Sequence, residues 1–298
     1  HRDLHLSIRR QRQMCIRDRH FYDMTHPTLY YGHWQPDEDH PVLGSQTRVL
    51  GSRNYLPEDF LAETSRHGTQ KTVHVQAAIG SEDSVEETKW LEQAFLRCGT
   101  PNAIVGYVDL RGVDAEKEIN RHMEYPHFKG IRDFSYGDYL TDGQFIKGFA
   151  LLERYGLVSS IAAGHQDMGK LASLARRFPD VTIVLDHAGL PKKRTAEYFR
   201  EWKSGMTEVS GIDNVTCKIS GLGMADNEWS MESIRPYVES CIELFGCERA
   251  LFASNWPIDS LWSSYGKLLE AYLGITRSFS DSEREQLFAL NAEKIYGI

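Results

Sequence analysis

The amino-acid sequence predicts an α/β protein that folds as a (β/α)8 TIM barrel, and three observations lead to this prediction. Short apolar runs alternate with amphipathic stretches from residue 50 onward. The runs follow one another at about 25 to 35 residues, which leaves room for a crossover helix between parallel strands. An eighth strand that ends near His20 completes the count of a closed barrel.

Each element follows from its own pattern. Predicted strands two to eight are the apolar runs 72–78, 103–108, 128–132, 157–162, 181–185, 215–219 and 250–253. Apolar residues at three- and four-residue spacing predict helices between them, for example 85–96, 168–178 and 234–245. Asp281 and Ser282 stand where an N-cap would start a last helix, 283–296. A doubly wound open sheet has similar periodicity, but no glycine-rich fingerprint follows the early strands.

The chain reads as one domain over residues 20–298, because no internal repeat and no Pro/Gly/Ser-rich linker interrupts it. Residues 1–19 differ: they carry six arginines against two aspartates and no periodicity. This run resembles translated adapter sequence, so we expect a non-native segment and a first strand that is damaged or non-native. A divergent basic arm is the alternative.

Composition favours a small-molecule substrate. The formal net charge is −8, and without residues 1–19 it is −12, which disfavours phosphate-backbone binding to nucleic acid. The five cysteines form no CxxC pair and predict reduced thiols. No apolar run approaches the roughly 20 residues of a membrane span, and no apolar region follows the basic N-terminus as in a secretory signal. We therefore expect a cytoplasmic protein, and the sequence makes no prediction of its oligomeric state.

Polar residues close most of the predicted strands. Active sites of such barrels lie at the carboxyl ends of the strands, so these side chains are expected to converge on one face. They are Gln76, Arg132, His165, His187, Lys218, Asn255 and Asp259. Alternatives remain open for three of them: a salt bridge at the barrel rim for Arg132, a buried partner for Lys218, and a turn position for Asn255.

Residues 24–56 form a predicted loop rich in aromatics, His, Pro and Gly. A long loop after the first strand of a barrel lies on the active-site face, where Tyr30, Tyr31 and Trp34 could stack on a substrate. A surface excursion packed by its own aromatics is the alternative interpretation.

The stretches VLDHAG, NVTCKISGL, FASNWPID and LNAEKIYGI resemble the amidohydrolase-related family that contains sugar and dicarboxylate lactonases. They occur in the family's order, and the resemblance runs from about residue 20 to the C-terminus. It implies a barrel of the amidohydrolase superfamily and hydrolysis of a lactone or a similar ester.

The resemblance also shows departures. His20 matches the second histidine of the family's first-strand motif, but Asp18 stands where the first is expected. Asn255 replaces an aspartate that serves as metal ligand or base. Relatives with an intact motif can use one divalent metal, zinc or manganese. With His20 and His187 as weak candidate ligands, we expect no tightly bound metal and no other cofactor.

The expected reaction is attack of water on the ester carbonyl of a lactone. Arg132 and Lys218 are suited to anchor a carboxylate or polarise the carbonyl. His187 or His20 could donate to the oxyanion, and Asp259 or His165 could deprotonate water. Gln76, Trp34 and Asn255 are expected to contact the substrate. The alternatives are a metal-dependent decarboxylase of the same superfamily and a non-catalytic ligand-binding barrel.

Overall fold

The computed structural model contains the expected barrel. It describes residues 18–35, 37, 39, 40, 43–69, 71–133 and 137–298. Eight parallel strands pair in chain order. A parallel bridge between Arg19 and Trp256 joins the first strand to the end of the last, so the sheet closes on itself. The strands are β1 (Asp18–Arg19), β2 (Val73–Val75), β3 (Ala103–Gly106), β4 (Phe128–Ile131), β5 (Val158–Ile161), β6 (Ile183–Leu185), β7 (Val215–Ile219) and β8 (Ala250–Phe252).

Strands two to eight lie inside the predicted apolar runs, and the (β/α)8 prediction is confirmed. β1 is only two residues long. The guanidinium carbon of Arg19 is buried 3.0 Å from the ring centroid of Phe60, so this arginine stacks on an aromatic ring instead of lying in water. Residues 1–17 of the segment expected to be non-native lie outside the described residues.

The helices lie between the strands and cover the barrel. They are α1 (Arg48–Gly51), α2 (Pro57–Thr64), α3 (Val85–Cys98), α4 (Ala115–His122), α5 (Gly143–Tyr155), α6 (Met168–Arg177), α7 (Ala196–Ser210), α8 (Met231–Phe245), α9 (Tyr265–Ile275), α10 (Asp281–Glu285) and α11 (Asn291–Tyr296). None of these helices is long and apolar enough to span a membrane. The four cysteines in the described part of the chain are free.

The predicted start of the last helix was wrong by two residues. Ser280 is the N-cap: its hydroxyl accepts from the Glu283 backbone N–H, and the Glu283 carboxylate accepts from the Ser280 N–H. This capping box satisfies donors that a cap at Asp281 or Ser282 would leave exposed. One π-helical turn, Gln286–Leu290, separates α10 from α11.

Alternate strand residues belong to two buried clusters, as the period of two requires. Residues such as Ile104, Ile183 and Phe252 pack in the large cluster with the helices. A smaller cluster fills the barrel interior and includes α11: Val73, Val75, Ala103, Val105, Val158, Val184, Leu251, Ala292 and Tyr296. Apolar residues therefore fill the starts of the strands, and polar residues occupy their carboxyl ends.

Candidate active site

A buried ionic cluster around Asp186 forms the centre of the site. Asp186 follows β6, and its Oδ1 accepts from Lys218 Nζ at 2.6 Å and from Ser160 Oγ at 2.8 Å. Its Oδ2 lies 3.1 Å from Arg132 Nε. Burial alone would favour the neutral acid, but the charges of Lys218 and Arg132 hold the pKa of Asp186 well below its usual range. Two of the predicted site residues thus meet through an aspartate that sequence reasoning did not single out.

His187 lies beside this cluster in an unusual backbone conformation. Its φ of 54° and that of Ala188, 52°, are left-handed, a region that non-glycine residues rarely adopt. The turn directs the imidazole toward β7, where Nδ1 lies 2.9 Å from the Ser220 hydroxyl. Burial lowers the pKa of His187 to about 3; the negative charge of Asp186 opposes this shift, and the positive charges of Arg132 and Lys218 add to it. The ring is therefore neutral at pH 7.

His20 presents a defined basic nitrogen. Its Nδ1 lies 2.9 Å from the carbonyl oxygen of Val75, and because a carbonyl only accepts, Nδ1 carries the proton. Nε2 is then the nitrogen with a free lone pair. Burial, helped by the positive charge of Arg132, holds the pKa of His20 well below its usual value. In this tautomer Nε2 accepts a hydrogen bond and does not donate one, so the expected donation to an oxyanion does not fit His20.

Asn255 and Asp259 form a second buried pair after β8. Asn255 is also left-handed, with a φ of 52°, and its amide donates to Asp259 Oδ1 at 2.9 Å. Burial raises the pKa of Asp259 to about 7, and the hydrogen bond from Asn255 opposes this shift. The amide oxygen of Asn255 is buried and has no hydrogen-bond partner among the described residues.

Other unpartnered polar atoms belong to chain segments that contact His20. Both side-chain polar atoms of Gln76, which follows Val75, are buried without a hydrogen-bond partner in the described part of the chain, and so is the indole nitrogen of Trp34. The ring of Trp34 lies 6.3 Å from that of His20. The backbone N–H of His20 donates to the carbonyl of Trp256, the residue after Asn255. Buried polar atoms usually have partners, so this group is an exception that needs an explanation.

The loop that follows β1 has features of both interpretations, an aromatic surface excursion and a part of the active-site face. Tyr22, Tyr31 and Trp34 pack on one another, as an aromatic surface excursion would. Trp34 also contacts His20, and the charge of Arg132 acts on His33, which places this part of the loop at the mouth of the barrel.

His165 lies apart from the cluster. It follows β5, but its ring packs edge-on against Tyr198, with centroids 5.0 Å apart, and its Nε2 is 3.9 Å from the Glu201 carboxylate. Both partners belong to α7. The structure therefore brings His165 to an outer helix, whereas Arg132, Lys218 and His187 meet at Asp186.

The described residues do not fit a divalent metal. No group of three His, Cys, Asp or Glu side chains suited to hold a metal occurs among them. Asp186, the carboxylate at this position, is already engaged by two cations. Zinc and manganese sites need several converging anionic or neutral donors, and Arg132 and Lys218 bring positive charge to this position instead.

Sequence reasoning noted Asp186 and Ser220 at strand ends but gave no site role to them or to Ser160. A signal for them exists in the alternation of strand residues: Asp186 lies two positions after the interior residue Val184, and Ser220 two positions after Lys218. His74 and Glu87 were also missed, and their pairing across 13 residues has no local sequence signal.

Comparisons with known proteins show the family to which the chain belongs. The family model described as amidohydrolase matches residues 18–298. The uncharacterized protein y4mH of Sinorhizobium fredii is 38% identical over 300 residues, which cover 96% of this chain and 99% of that protein. An L-fucono-1,5-lactonase of Burkholderia ambifaria is 29% identical, over 83% of this chain and 81% of the lactonase.

Solved structures share the fold. An amidohydrolase from Burkholderia multivorans, crystallised with bound zinc, superposes with a TM-score of 0.82 at 23% identity. The superposition covers 95% of this chain and 99% of that one.

Proposed function

Because the chain belongs to the amidohydrolase family, we propose that it is a hydrolase that opens the ring of a sugar lactone. The observation that supports this most is the set of unpartnered buried polar atoms on the chain segments that contact His20, together with a buried cationic cluster at the same end of the barrel. A bound ligand that supplied their hydrogen bonds would remove the cost of burying them, about 1–3 kcal/mol per group. The relationship to an L-fucono-1,5-lactonase points to the same class of substrate.

The chemistry of those atoms favours hydroxyl groups on the ligand. Trp34 Nε1 and Gln76 Nε2 are donors, whereas Gln76 Oε1 and Asn255 Oδ1 are acceptors. A hydroxyl both donates and accepts, so a polyhydroxylated ring can satisfy the whole set. A carboxylate only accepts and would leave the two amide oxygens without donors.

In the proposed mechanism His20 is the general base. Water attacks the ester carbonyl carbon and passes a proton to His20 Nε2, which the Nδ1–H to Val75 bond leaves free to accept it. The positive charges of Arg132 and Lys218 stabilise the tetrahedral oxyanion. As the intermediate collapses, the ring C–O bond breaks, and the proton on His20 passes to the leaving alkoxide oxygen to give a hydroxy acid. Asp259 acts indirectly, because its carboxyl oxygen accepts a hydrogen bond from the Asn255 amide and so orients that side chain.

The experiment is a pH-indicator assay with a panel of L- and D-sugar lactones and lactones bearing carboxylates. We expect turnover of one or more neutral sugar lactones, and we expect His20→Gln to lower kcat roughly 100- to 10,000-fold, the usual contribution of a general base. His127→Gln is the matched control, because His127 pairs with Glu92 away from the site. Release of carbon dioxide from an aromatic acid, or binding of lactones without turnover, would contradict the proposal and favour the decarboxylase or the non-catalytic barrel.

A further inference from the structure

The buried carboxylate of Glu87 lies next to the end of β2, and three donors approach one of its oxygens. Oε1 of Glu87, in the first turn of α3, accepts from the backbone N–H groups of Ala77 at 2.8 Å and Ala78 at 2.9 Å. It also lies 3.2 Å from Nε2 of His74, on β2. Ala77 directly follows Gln76, so the carboxylate holds the turn that carries one of the unpartnered site residues.

His74 extends this network to β1. Its Nδ1 accepts from the backbone N–H of Phe21 at 3.2 Å, so the proton of the neutral ring lies on Nε2 and is donated to Glu87. The rings of His74 and Phe21 stack with centroids 5.7 Å apart. Phe21 directly follows His20. The two buried side chains therefore connect the segment that carries His20 to the segment that carries Gln76.

These contacts connect both the backbone next to His20 and the His20 imidazole to neighbouring residues of β2, His74 and Val75. His74 Nδ1 holds the N–H of Phe21, while the carbonyl of Val75, next to His74, accepts the proton of His20 Nδ1. A shift of His74 would move both the backbone of His20 and the carbonyl that selects its tautomer. In a buried setting the ring cannot replace these partners with water, so the arrangement is rigid.

We propose that the His74–Glu87 pair is a positioning device that sets the orientation and the tautomer of His20. This inference rests on the proposed function of His20 as the base, but its structural part can be measured without a substrate. Neither residue touches the unpartnered atoms of the site, and both act through backbone groups. Residues that orient a metal-ligating histidine change metal affinity or activity by roughly 10- to 100-fold when they are removed, and we expect an effect of that size for this pair.

The test compares three variants by steady-state kinetics and by long-range 1H–15N NMR, which reports the tautomer of each histidine. His74→Leu removes both hydrogen bonds. His74→Asn keeps an oxygen near the position of Nδ1, where it can accept from Phe21. His127→Leu is the matched control, because it removes a histidine that bonds another glutamate of α3, Glu92, at 2.8 Å.

We expect the unsubstituted protein to show His20 with its proton on Nδ1 and His74 with its proton on Nε2. His74→Leu should abolish the single tautomer of His20 and lower kcat roughly 10- to 100-fold while KM changes less than about threefold. His74→Asn should restore both properties, and His127→Leu should change neither.

The inference is overturned if His74→Leu leaves the His20 tautomer unchanged, or if its kcat falls no further than that of His127→Leu. If His74→Leu does not fold, the tautomer of His74 in the unsubstituted protein and the tautomer of His20 in His74→Asn decide. A proton on Nδ1 of His74, or loss of the single His20 tautomer in His74→Asn, overturns the inference. If no lactone is hydrolysed, the proposed function fails, while the tautomer measurement still decides the positioning role.

Discussion

At the scale of single residues, the site is dominated by charge removed from water. Asp186 is stabilised in its ionised form only because Lys218, Arg132 and Ser160 contact it. Each partner is nearly inaccessible, so a single substitution would leave a buried charge without compensation. Lys218 and Arg132 were expected from the sequence to bind substrate, and their ion pairs with Asp186 show how two cations can be kept together at the mouth of the barrel.

Lys218→Met is expected to lower the free energy of unfolding by about 3 to 5 kcal/mol, because it removes one cation from a buried carboxylate while keeping the volume of the side chain. Lys203→Met is the control: the Lys203–Glu243 pair is 35% and 65% exposed and should contribute less than about 1 kcal/mol. Urea unfolding at pH 7 measures both. Equal losses in the two variants would show that the buried cluster contributes no more than a surface pair.

The Asp259 carboxyl predicts a pH dependence of stability. Its pKa is about 7 in the folded protein and near 3.8 when unfolded, so between these values the folded state keeps a proton that the unfolded state has released. Stability from this group is therefore complete below about pH 4 and falls by about 1.4 kcal/mol per pH unit as the pH rises toward 7. Asp259→Asn removes this loss.

We expect the free energy of unfolding of Asp259→Asn, relative to that of the unsubstituted protein, to be higher at pH 8 than at pH 5. Urea unfolding at both pH values measures this difference. The exposed Asp213→Asn serves as the background variant. A difference between Asp259→Asn and the unsubstituted protein that is the same at both pH values would mean that Asp259 is ionised throughout this range.

At the scale of elements, the approach of helices to strand ends positions the loops of the site. Helix α5 passes so close to the loop after β3 that a Cβ on Gly148 would lie 1.8 Å from the carbonyl oxygen of Leu110. Only glycine allows this contact. The N–H of Leu110 also donates to the carboxylate of Asp133, the residue directly after Arg132. The packing of α5 against this loop therefore helps to position the end of β4.

Gly148→Ala is expected to destabilise the protein by at least about 2 kcal/mol, because the helix must move away from a backbone group that cannot yield. Gly143→Ala, in the first turn of the same helix, meets nothing within 4 Å and should change stability by less than about 1 kcal/mol. Urea midpoints compare the two. A Gly148→Ala variant as stable as Gly143→Ala would show that α5 adjusts without cost.

At the scale of the whole molecule, the closed barrel separates an apolar end from a polar end. Tyr296 of α11 is buried in the interior cluster with Val73, Val158 and Leu251. The last helix thus seals the barrel at the starts of the strands, and the polar groups remain at the other end. This division allows charged residues to be buried at one end without disturbing the hydrophobic core at the other.

Tyr296→Ala is expected to cost about 3 kcal/mol of stability, since it leaves a cavity where α11 meets the strands. Tyr30→Ala is the matched control, because Tyr30 is 46% exposed. Thermal or urea unfolding measures both variants. A loss no larger than that of Tyr30→Ala would contradict the sealing role of the last helix.

Much of the fold could be predicted because strand and helix periodicities are local. The run that contains Val184 and Leu185 predicted β6 and, with it, the position of His187. The site was only partly predictable. Lys218 was expected either to have a buried partner or to face the barrel mouth, and it does have one, but Asp186 is 32 residues away and was not identified as that partner. His165, with an equally suggestive position after β5, contacts an outer helix instead.

The sequence by itself determined which runs form strands and which polar residues end them, because a period of two marks the strands and parallel connections place their carboxyl ends on the same side of the sheet. Only the tertiary structure decided which of these residues contact one another, which ring nitrogen of a histidine carries the proton, and where each pKa lies. The tautomer of His20 depends on the carbonyl of Val75, and the pKa of Asp259 depends on burial. Hydrogen bonds and exclusion of water arise between segments far apart in the chain, so no local pattern records them.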